Sequence, residues 1–421
     1  MHRRATVRLD ATEVDEQRNG ALKMTLPTIK LKPQRAERHQ HPWVFDNEIV
    51  SGPGEDFVDG SLVRVLNSKG RALGVGFLNR NSRIAFRYLT RATEETIDAK
   101  FWAQLVVKAY QYRQQRYKSA GGLPVFYRLI HGESDGMPGL VADVYGKYIV
   151  VQILALGLEP WRKALIEAIV ETIPGIDGIY ERSDSSVRLL EGLEPSAGVL
   201  WGSEPPDELE FQDGGVTVLV DVKSGAKTGL FLDQRENQAA AAKEASDKEV
   251  LNCFSYTGLF GLRAASAGAK SVIEVESSAE FNAINIRQWQ RNGFDLPHKV
   301  ETANVFDYLR ELARQDFRTD LVILDPPAFA KSRATLDAAV RGYNEINRMA
   351  LKLLRPGGVL VTCSCSHHLR PDEFRAIVQM AALDARREVK LIEQRGQPPD
   401  HPVLMSAPES EYLKCLILAV Y

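Results

Sequence analysis

Apolar positions near the start of the chain come in short runs, at residues 27–31, 62–66, 74–78 and 84–88, separated by Gly, Asn and Ser. Runs this short and this closely punctuated predict strands, and their spacing suggests a small β-barrel between Met24 and about Thr90. Residues 97–117 change to a helical period. The stretch 127–148, YRLIHGESDGMPGLVADVYGKY, is rich in Gly, Asp and Ser over 131–139. That segment reads as a turn first and as a piece of a substrate cleft second. A hairpin turning near Tyr145-Gly146 leads into an apolar strand at 149–154. A helical pattern at 159–172 and a short strand at 178–181 complete a small α+β module. The Pro- and acid-rich segment 200–208 marks a boundary, and 216–222 is a further strand.

The second half is organised around 249–276, EVLNCFSYTGLFGLRAASAGAKSVIEVE. It divides into an apolar run (249–253), a turn-rich loop (254–258), a helical pattern (259–267), a β-rich run (271–275) and the acid Glu276. Strand, loop, helix, strand, acid is a βαβ unit that binds a nucleotide at its first turn. Next come a helix at 279–292, a strand at 300–304, a helix at 305–315, and a buried strand at 321–324 leading into Asp325-Pro326-Pro327-Ala328-Phe329. Leu336, Val340, Tyr343, Ile346, Ala350 and Leu353 recur at helical spacing, and Pro356-Gly357-Gly358 stops that helix. The strand 359–362 ends in Cys363-Ser364-Cys365-Ser366-His367-His368, and runs at 389–393 and 412–420 close the chain as a hairpin. An antiparallel last strand on an otherwise parallel sheet suits class I S-adenosylmethionine (SAM)-dependent methyltransferases better than dehydrogenases.

With 421 residues, the chain has room for two or three domains, each with its own core. A net charge of −2 gives no global basic field, so any RNA-binding surface must be a local patch. Residues 1–23 are polar, lack periodicity and resemble neither a signal peptide nor a core element. No run approaches the roughly 18 apolar residues of a membrane helix. Cys253, Cys363, Cys365 and Cys415 follow neither a disulfide nor a zinc spacing. A reduced, cytoplasmic protein without a metal is the expectation.

The 254–258 loop carries one glycine, Gly258, where a pyrophosphate loop needs several, so SAM is favoured over NAD. Gly258 is expected to let backbone approach the ligand, and Glu276 to bind two ribose hydroxyls. The segment KSGAKTGLFLDQREN precedes this unit and reads as a flap, with Asp233, Gln234 and Arg235 facing the ligand. Asp-Pro-Pro-x-Phe leaves the sheet rigid and extended, which frees Asp325 to meet an amine, a sulfonium or a proton and Phe329 to stack on a flat ring. Cys365 has two readings: a small packed core residue, or a thiolate nucleophile that adds to carbon 6 of a cytosine and activates carbon 5. Cys363, nearer the apolar strand, fits packing better. In the first domain, Lys30, Lys32, Arg35, Arg38, His39 and His41 cluster beside Trp43 and Phe45, as suits a phosphate backbone with stacked bases. A solvated basic turn beside core aromatics remains open.

NCFSYTG, LDQREN, DPPAFAKS, RGYNEIN and the SCS of TCSCSHH, with GESDGMPGL, YERSD and HPWVF, together resemble bacterial 23S ribosomal RNA 5-methylcytosine methyltransferases of the PUA-containing type. The resemblance implies a PUA-like RNA-binding β-barrel (24–93), a central α+β domain (94–205) and a Rossmann-like methyltransferase domain (206–421). It further implies Cys365 as nucleophile, and SAM held by Phe254, Ser255, Tyr256, Thr257, Gly258, Glu276, Asn304 and Asp325, to which the flap reading adds Gln234. Substrate contacts would come from Phe329, Lys30, Lys32, Arg35 and Trp43. Large-subunit ribosomal RNA is the expected partner, and a homodimer is left open. Two positions depart from the pattern: Asn304 stands where an Asp commonly meets the adenine amino group, and Cys363 is a second thiol. The base that removes the carbon-5 proton is open, with Asp325 the candidate. A guanine-modifying RNA methyltransferase without thiol chemistry, and a non-catalytic RNA-binding assembly factor, are the competing readings.

Overall fold

The computed structural model describes residues 26–33, 40–330 and 335–421, arranged in three larger sheets and a two-stranded hairpin. Arg35, Arg38 and His39 lie outside the described residues. The first sheet holds β1 (Thr28–Leu31), β2 (Trp43–Val44), β3 (Ile49–Ser51), β4 (Leu62–Leu66), β5 (Ala72–Leu78) and β6 (Phe86–Thr90), in the order β2-β6-β5-β4-β1-β3. Alternation decides its packing. Val63 and Val65 of β4 are buried while Arg64 between them is half-exposed. Both valines join Ile29, Leu31, Val44 and Phe86 in one apolar cluster.

The second sheet contains β7 (Phe126–His131), β8 (Leu140–Tyr145), β9 (Tyr148–Ile153), β10 (Gly178–Ser183) and β11 (Ser196–Gly202), ordered β11-β10-β9-β8-β7. Helices α1 (Ala99–Tyr117) and α2 (Arg162–Thr172) bury Trp102, Val106, Leu165 and Ile169 against Leu129 and Ile149 of that sheet. The sequence pattern predicts neither β7 nor β11. The pairing register of β7 slips between Arg128 and Ile130, which breaks the period of two. Its charged residue is paid for from the next strand, where Asp143 takes Arg128 Nε at 2.8 Å. Strand β11 continues to Gly202, so the boundary segment starts later than position 200.

A hairpin of β12 (Leu209–Asp213) and β13 (Val216–Val220) precedes the third sheet. This sheet has β14 (Glu249–Cys253), β15 (Ser271–Glu276), β16 (His298–Thr302), β17 (Thr319–Leu324), β18 (Leu354–Ser364), β19 (Val389–Arg395) and β20 (Lys414–Val420), ordered β16-β15-β14-β17-β18-β20-β19. All pairs are parallel except those of β20, which runs against both neighbours. Helices α3 (Arg235–Lys243), α4 (Leu259–Ser266) and α5 (Ala279–Asn292) pack with the hairpin on one face. Helices α6 (Val305–Arg314), α7 (Leu336–Leu353) and α8 (Pro371–Ala385) pack on the other. Sandwiched strands must be apolar on both faces, which is why β17 and β18 read as continuous runs.

Three local expectations shift. Helix α8 is not predicted, although Phe374, Ile377, Val378, Ala381 and Ala382 bury one face at helical spacing behind Pro371 in the first turn. Strand β16 ends at Thr302, which leaves Asn304 to cap α6 rather than to end a strand. Strand β18 begins at Leu354 directly after α7, so Pro356-Gly357-Gly358 lies inside the strand and not in a connecting turn.

Candidate active site

The strand order reverses between β14 and β17, and the loops leaving the carboxyl ends of such strands form a crevice. Here they enclose a cavity of about 560 Å³. Phe254, Ser255, Tyr256 and Thr257 after β14, Glu276 after β15, Asn304 after β16, Asp325 and Phe329 after β17 and Cys365 after β18 all line it. Residues far apart in the chain are thus brought to one place, and Gln234 joins them from the segment before α3.

The 254–258 loop is held tightly. Phe254, Tyr256 and Gly258 all have left-handed φ values, 59°, 52° and 84°. For the two non-glycine residues this costs about 1–2 kcal/mol each. Compensation is visible around them. Tyr256 Oη donates to Gly229 O at 2.9 Å and accepts from Ala226 N at 2.9 Å, while Phe254 packs edge-on against Phe306 and Phe329. Glu276 is oriented by Tyr256 N at 3.1 Å and by Ser278 N and Ser277 Oγ at 3.0 Å. Gly258 does not serve as expected. It is absent from the cavity wall, and a Cβ there would lie 2.5 Å from Asn285 Oδ1, so the missing side chain makes room for α5. Asn304 also differs: its Oδ1 accepts from Phe306 N at 3.0 Å and Asp307 N at 3.4 Å, which commits that oxygen to the helix cap.

In the same cavity, Gln234 Nε2 donates to Asp325 Oδ1 at 2.7 Å. Burial, then the charge of Asp233, pushes the Asp325 carboxyl up to about 7 despite the Gln234 bond. Asp233 is buried too, which alone would raise it, but Lys227 and His401 hold it well below the usual carboxylate range. Lys227 Nζ and Tyr412 Oη each donate to Asp233 Oδ2 at 2.7 Å. Asp233 Oδ1 and Thr257 Oγ1 are buried without a partner among the described residues. Arg235 turns away from the cavity, contrary to expectation. Its guanidinium donates to Phe126 O at 2.7 Å and Tyr117 Oη at 2.5 Å, because the central domain offers buried acceptors on that side.

The two candidate thiols separate. Cys363 is fully buried, sits opposite Cys415 in the β18–β20 ladder and packs with Ile417. Cys415 and burial push its thiol well above the ordinary range. Cys365, one residue past the strand, faces the cavity with Sγ 3.9 Å from Pro326 O. Its thiol is not activated in this state: burial, then the charge of Asp325, pushes it up to about 11, against the pull of Lys227 and Lys414. Lys414 carries no signal in the sequence reading beyond a charge opening an apolar run. It is 3% exposed, and its Nζ donates to Ser366 O and Tyr412 O, both at 2.7 Å. Burial brings its ammonium down to about 8, while the neighbouring Cys365 acts to raise it. Ser366 Oγ accepts from Ala330 N at 3.2 Å and lies 3.0 Å from Tyr343 Oη, so the strand end carrying Cys365 is pinned to the Asp-Pro-Pro-x-Phe turn.

The basic segment of the first domain is not gathered at this cavity. Lys30 lies half-buried in β1 and Lys32 is exposed just after it. Trp43 is not a free stacking platform: its Nε1 donates to Glu133 Oε1 at 2.7 Å, and Arg87 lies over its ring. Arg87 also pairs with Glu133 and Glu191, so these residues join the first sheet to the second. Arg80 is drawn into its own domain by Asp59 at 3.0 Å. Among the described residues no group of three or more His, Cys, Asp or Glu could hold a metal, and no helix is long and apolar enough to cross a membrane.

The βαβ crevice, the acid Glu276 at the end of β15 and the antiparallel β20 define an S-adenosylmethionine-dependent methyltransferase. The profile of that family matches residues 128–418, and a PUA-like domain matches residues 28–91. Ribosomal RNA large subunit methyltransferase I of Shewanella denitrificans is 42% identical over 93% of this chain and 99% of its own. The protein of the same name from Alteromonas mediterranea is 40% identical over 93% of this chain and 98% of its own. The chain belongs to the family of these methyltransferases. Among solved structures, a Streptococcus mutans protein described as a SAM-dependent methyltransferase superposes with a TM-score of 0.78 at 21% identity, covering 93% of this chain and 99% of its own. A methyltransferase solved with S-adenosylhomocysteine bound gives 0.77 at 21% identity over the same shares. These two share the fold.

The residues present fit SAM. Glu276 presents a carboxylate to the cavity that could accept from ribose hydroxyls, aromatic and apolar groups from Phe254, Val305 and Phe306 line the wall, and Asp233 Oδ1, buried without a partner among the described residues, could accept from an ammonium.

Proposed function

We propose that this chain transfers a methyl group from SAM to carbon 5 of a cytosine in large-subunit ribosomal RNA, with Cys365 as the nucleophile. The ribosomal RNA part rests on what the Shewanella and Alteromonas relatives are named for. The carbon-5 part rests on one observation: the thiol of Cys365 lines the same cavity as the cofactor loop and Asp325, while Cys363 is sealed in the core. When bound, SAM supplies an electrophilic methyl group on a sulfonium. Phe329 would flank the flat ring of the target base. Release of the thiol proton to solvent lets Cys365 Sγ add to carbon 6, which places an electron pair on carbon 5 for the incoming methyl group. A base then takes the carbon-5 proton, and elimination breaks the S–C6 bond and restores the ring. Asp325 suits that base, because a carboxyl brought to about 7 can take and return a proton near neutral pH. Glu276, Gln234 and the 254–257 segment orient the cofactor, and Asn304 contributes its amide N–H₂ face rather than its committed carbonyl oxygen.

Purified protein, labelled SAM and unmethylated ribosomal RNA test this reading, with the modified nucleoside identified by mass spectrometry. 5-Methylcytosine from wild type and Cys363→Ala, and none from Cys365→Ala, is the expected result. One observation favours a second reading: a thiol pushed up to about 11 is protonated at neutral pH. A guanine-directed methyltransferase needs no thiolate, and a methylguanine product from both variants would establish it.

A further inference from the structure

A second concavity, of about 500 Å³, lies where the C-terminal ends of α6, α7 and α8 converge. Six of its lining residues are cations, Arg310, Arg314, Arg318, Arg348, Lys352 and Arg387, and among the described residues no carboxylate lines it. The chain as a whole carries slightly more acidic than basic residues, 55 against 53, so this grouping is local. Arg310 pairs with Glu345 and Asp307, Arg314 with Glu311 and Arg318 with Asp316, all outside the wall. Among the described residues, no carboxylate lies within ion-pair distance of Arg348, Lys352 or Arg387. Among the described residues, the Arg387 guanidinium donates once, to Leu354 O at 2.9 Å, and its buried Nε has no acceptor. Burial and the charge of Arg318 both act to lower its pKa. A guanidinium with a buried, unpaired N–H beside a like charge is a place short of an anion.

Cations at helix C-termini are favourable on their own, and that accounts for each position singly. It does not account for three helix ends sharing one hollow with no carboxylate in its wall among the described residues. The hollow is also connected to the chemistry. A groove along α6 takes in Asn304, Asp307, Arg310, Glu311 and Arg314. It shares Asn304 with the catalytic cavity and both arginines with the basic hollow. Helix α6 spans only about 15 Å, so the two sites are near neighbours along one surface.

We propose that the hollow formed by Arg348, Lys352 and Arg387 with Arg310, Arg314 and Arg318 binds the phosphodiester backbone of the RNA substrate, away from the target nucleotide. It rests on the RNA part of the proposed function and is independent of the cytosine and thiol parts. Forked guanidiniums match phosphate oxygens, and positioning through phosphates carries no sequence preference. The hollow therefore anchors RNA while the cavity selects the base.

The double variant Arg348→Gln/Lys352→Gln leaves the backbone contact of Arg387 intact. Its affinity for a ribosomal RNA fragment is measured by filter binding across a salt series, with SAM affinity as the check on folding. Adding Arg387→Gln gives a second, stronger perturbation. The expected result is about ten-fold weaker RNA binding and a slope of log K against log salt shallower by about two, with KM raised and kcat and SAM affinity unchanged. Unchanged RNA affinity and slope in both variants overturns the proposal. So does a loss seen only with assembled large-subunit particles, which would put an acidic protein surface in the hollow instead. If wild type binds no ribosomal RNA, the proposed function fails along with it. If wild type binds and the variants match it, only the hollow fails.

Discussion

Replacing Asp325 by Asn makes Cys365 more reactive while stopping methyl transfer. The Cys365 thiol is raised from its ordinary 9.0 to about 11, with burial the largest cause and the Asp325 carboxylate the next. Asn keeps the shape and the partner position for Gln234 but removes the negative charge. The charge is the second cause of the rise, so its loss increases the thiolate fraction well below the thiol's pKa, by about ten-fold for each unit the pKa falls. The effect is read near pH 9, where a carboxyl at about 7 is ionised in wild type. Iodoacetamide labelling, followed peptide by peptide in the mass spectrometer, reports Cys365 directly. Cys253, Cys363 and Cys415 are buried and serve as unreactive references. Faster alkylation of Cys365 together with lost methyl transfer is the expected pair of results. Alkylation that is unchanged or slower in Asp325→Asn would refute the electrostatic coupling between the two groups.

The other predictions concern neighbouring positions. Lys414→Met removes a buried cation beside Cys365 and is expected to slow its alkylation severalfold at pH 8, whereas Lys414→Arg largely preserves it. Glu274 is fully buried and its carboxyl is raised by burial from 4.5 to about 8, so the folded state loses stability as pH rises from 4.5 towards 8. Glu274→Gln is therefore expected to match wild type at pH 4 and to exceed it by about 3 kcal/mol at pH 7, read by denaturant titration at both values. Gly258→Ala forces a Cβ onto Asn285 at a left-handed φ and should cost roughly 2–4 kcal/mol with loss of SAM binding, checked by thermal melts and calorimetry. Cys363→Ala keeps methyl transfer and costs about 1–2 kcal/mol, since only a small buried group is removed.

What the chain declared locally, it declared well. The unit from Glu249 to Glu276 was legible because period, turn residues and a terminal acid sit within one βαβ span. The hairpin at 145–148 and helix α5 were legible for the same reason: their signals lie within neighbouring residues. The convergence of Asp325, Glu276 and Cys365 followed from parallel topology, which places successive strand ends on one edge. Side-chain direction was a different matter. Arg235 stands beside the cofactor segment, yet it turns to a carbonyl 109 positions away. Trp43 lies among basic residues, yet its indole is taken by an acid 90 positions away. Lys414 carries no signal within the run 412–420, yet its buried ammonium donates to the carbonyl of Ser366, 48 positions earlier. Backbone form follows from short-range sterics and periodicity, which a sequence displays. Where a buried polar side chain points depends on which partner the fold delivers, because an unpaired buried donor is costly and tertiary structure alone decides who relieves it.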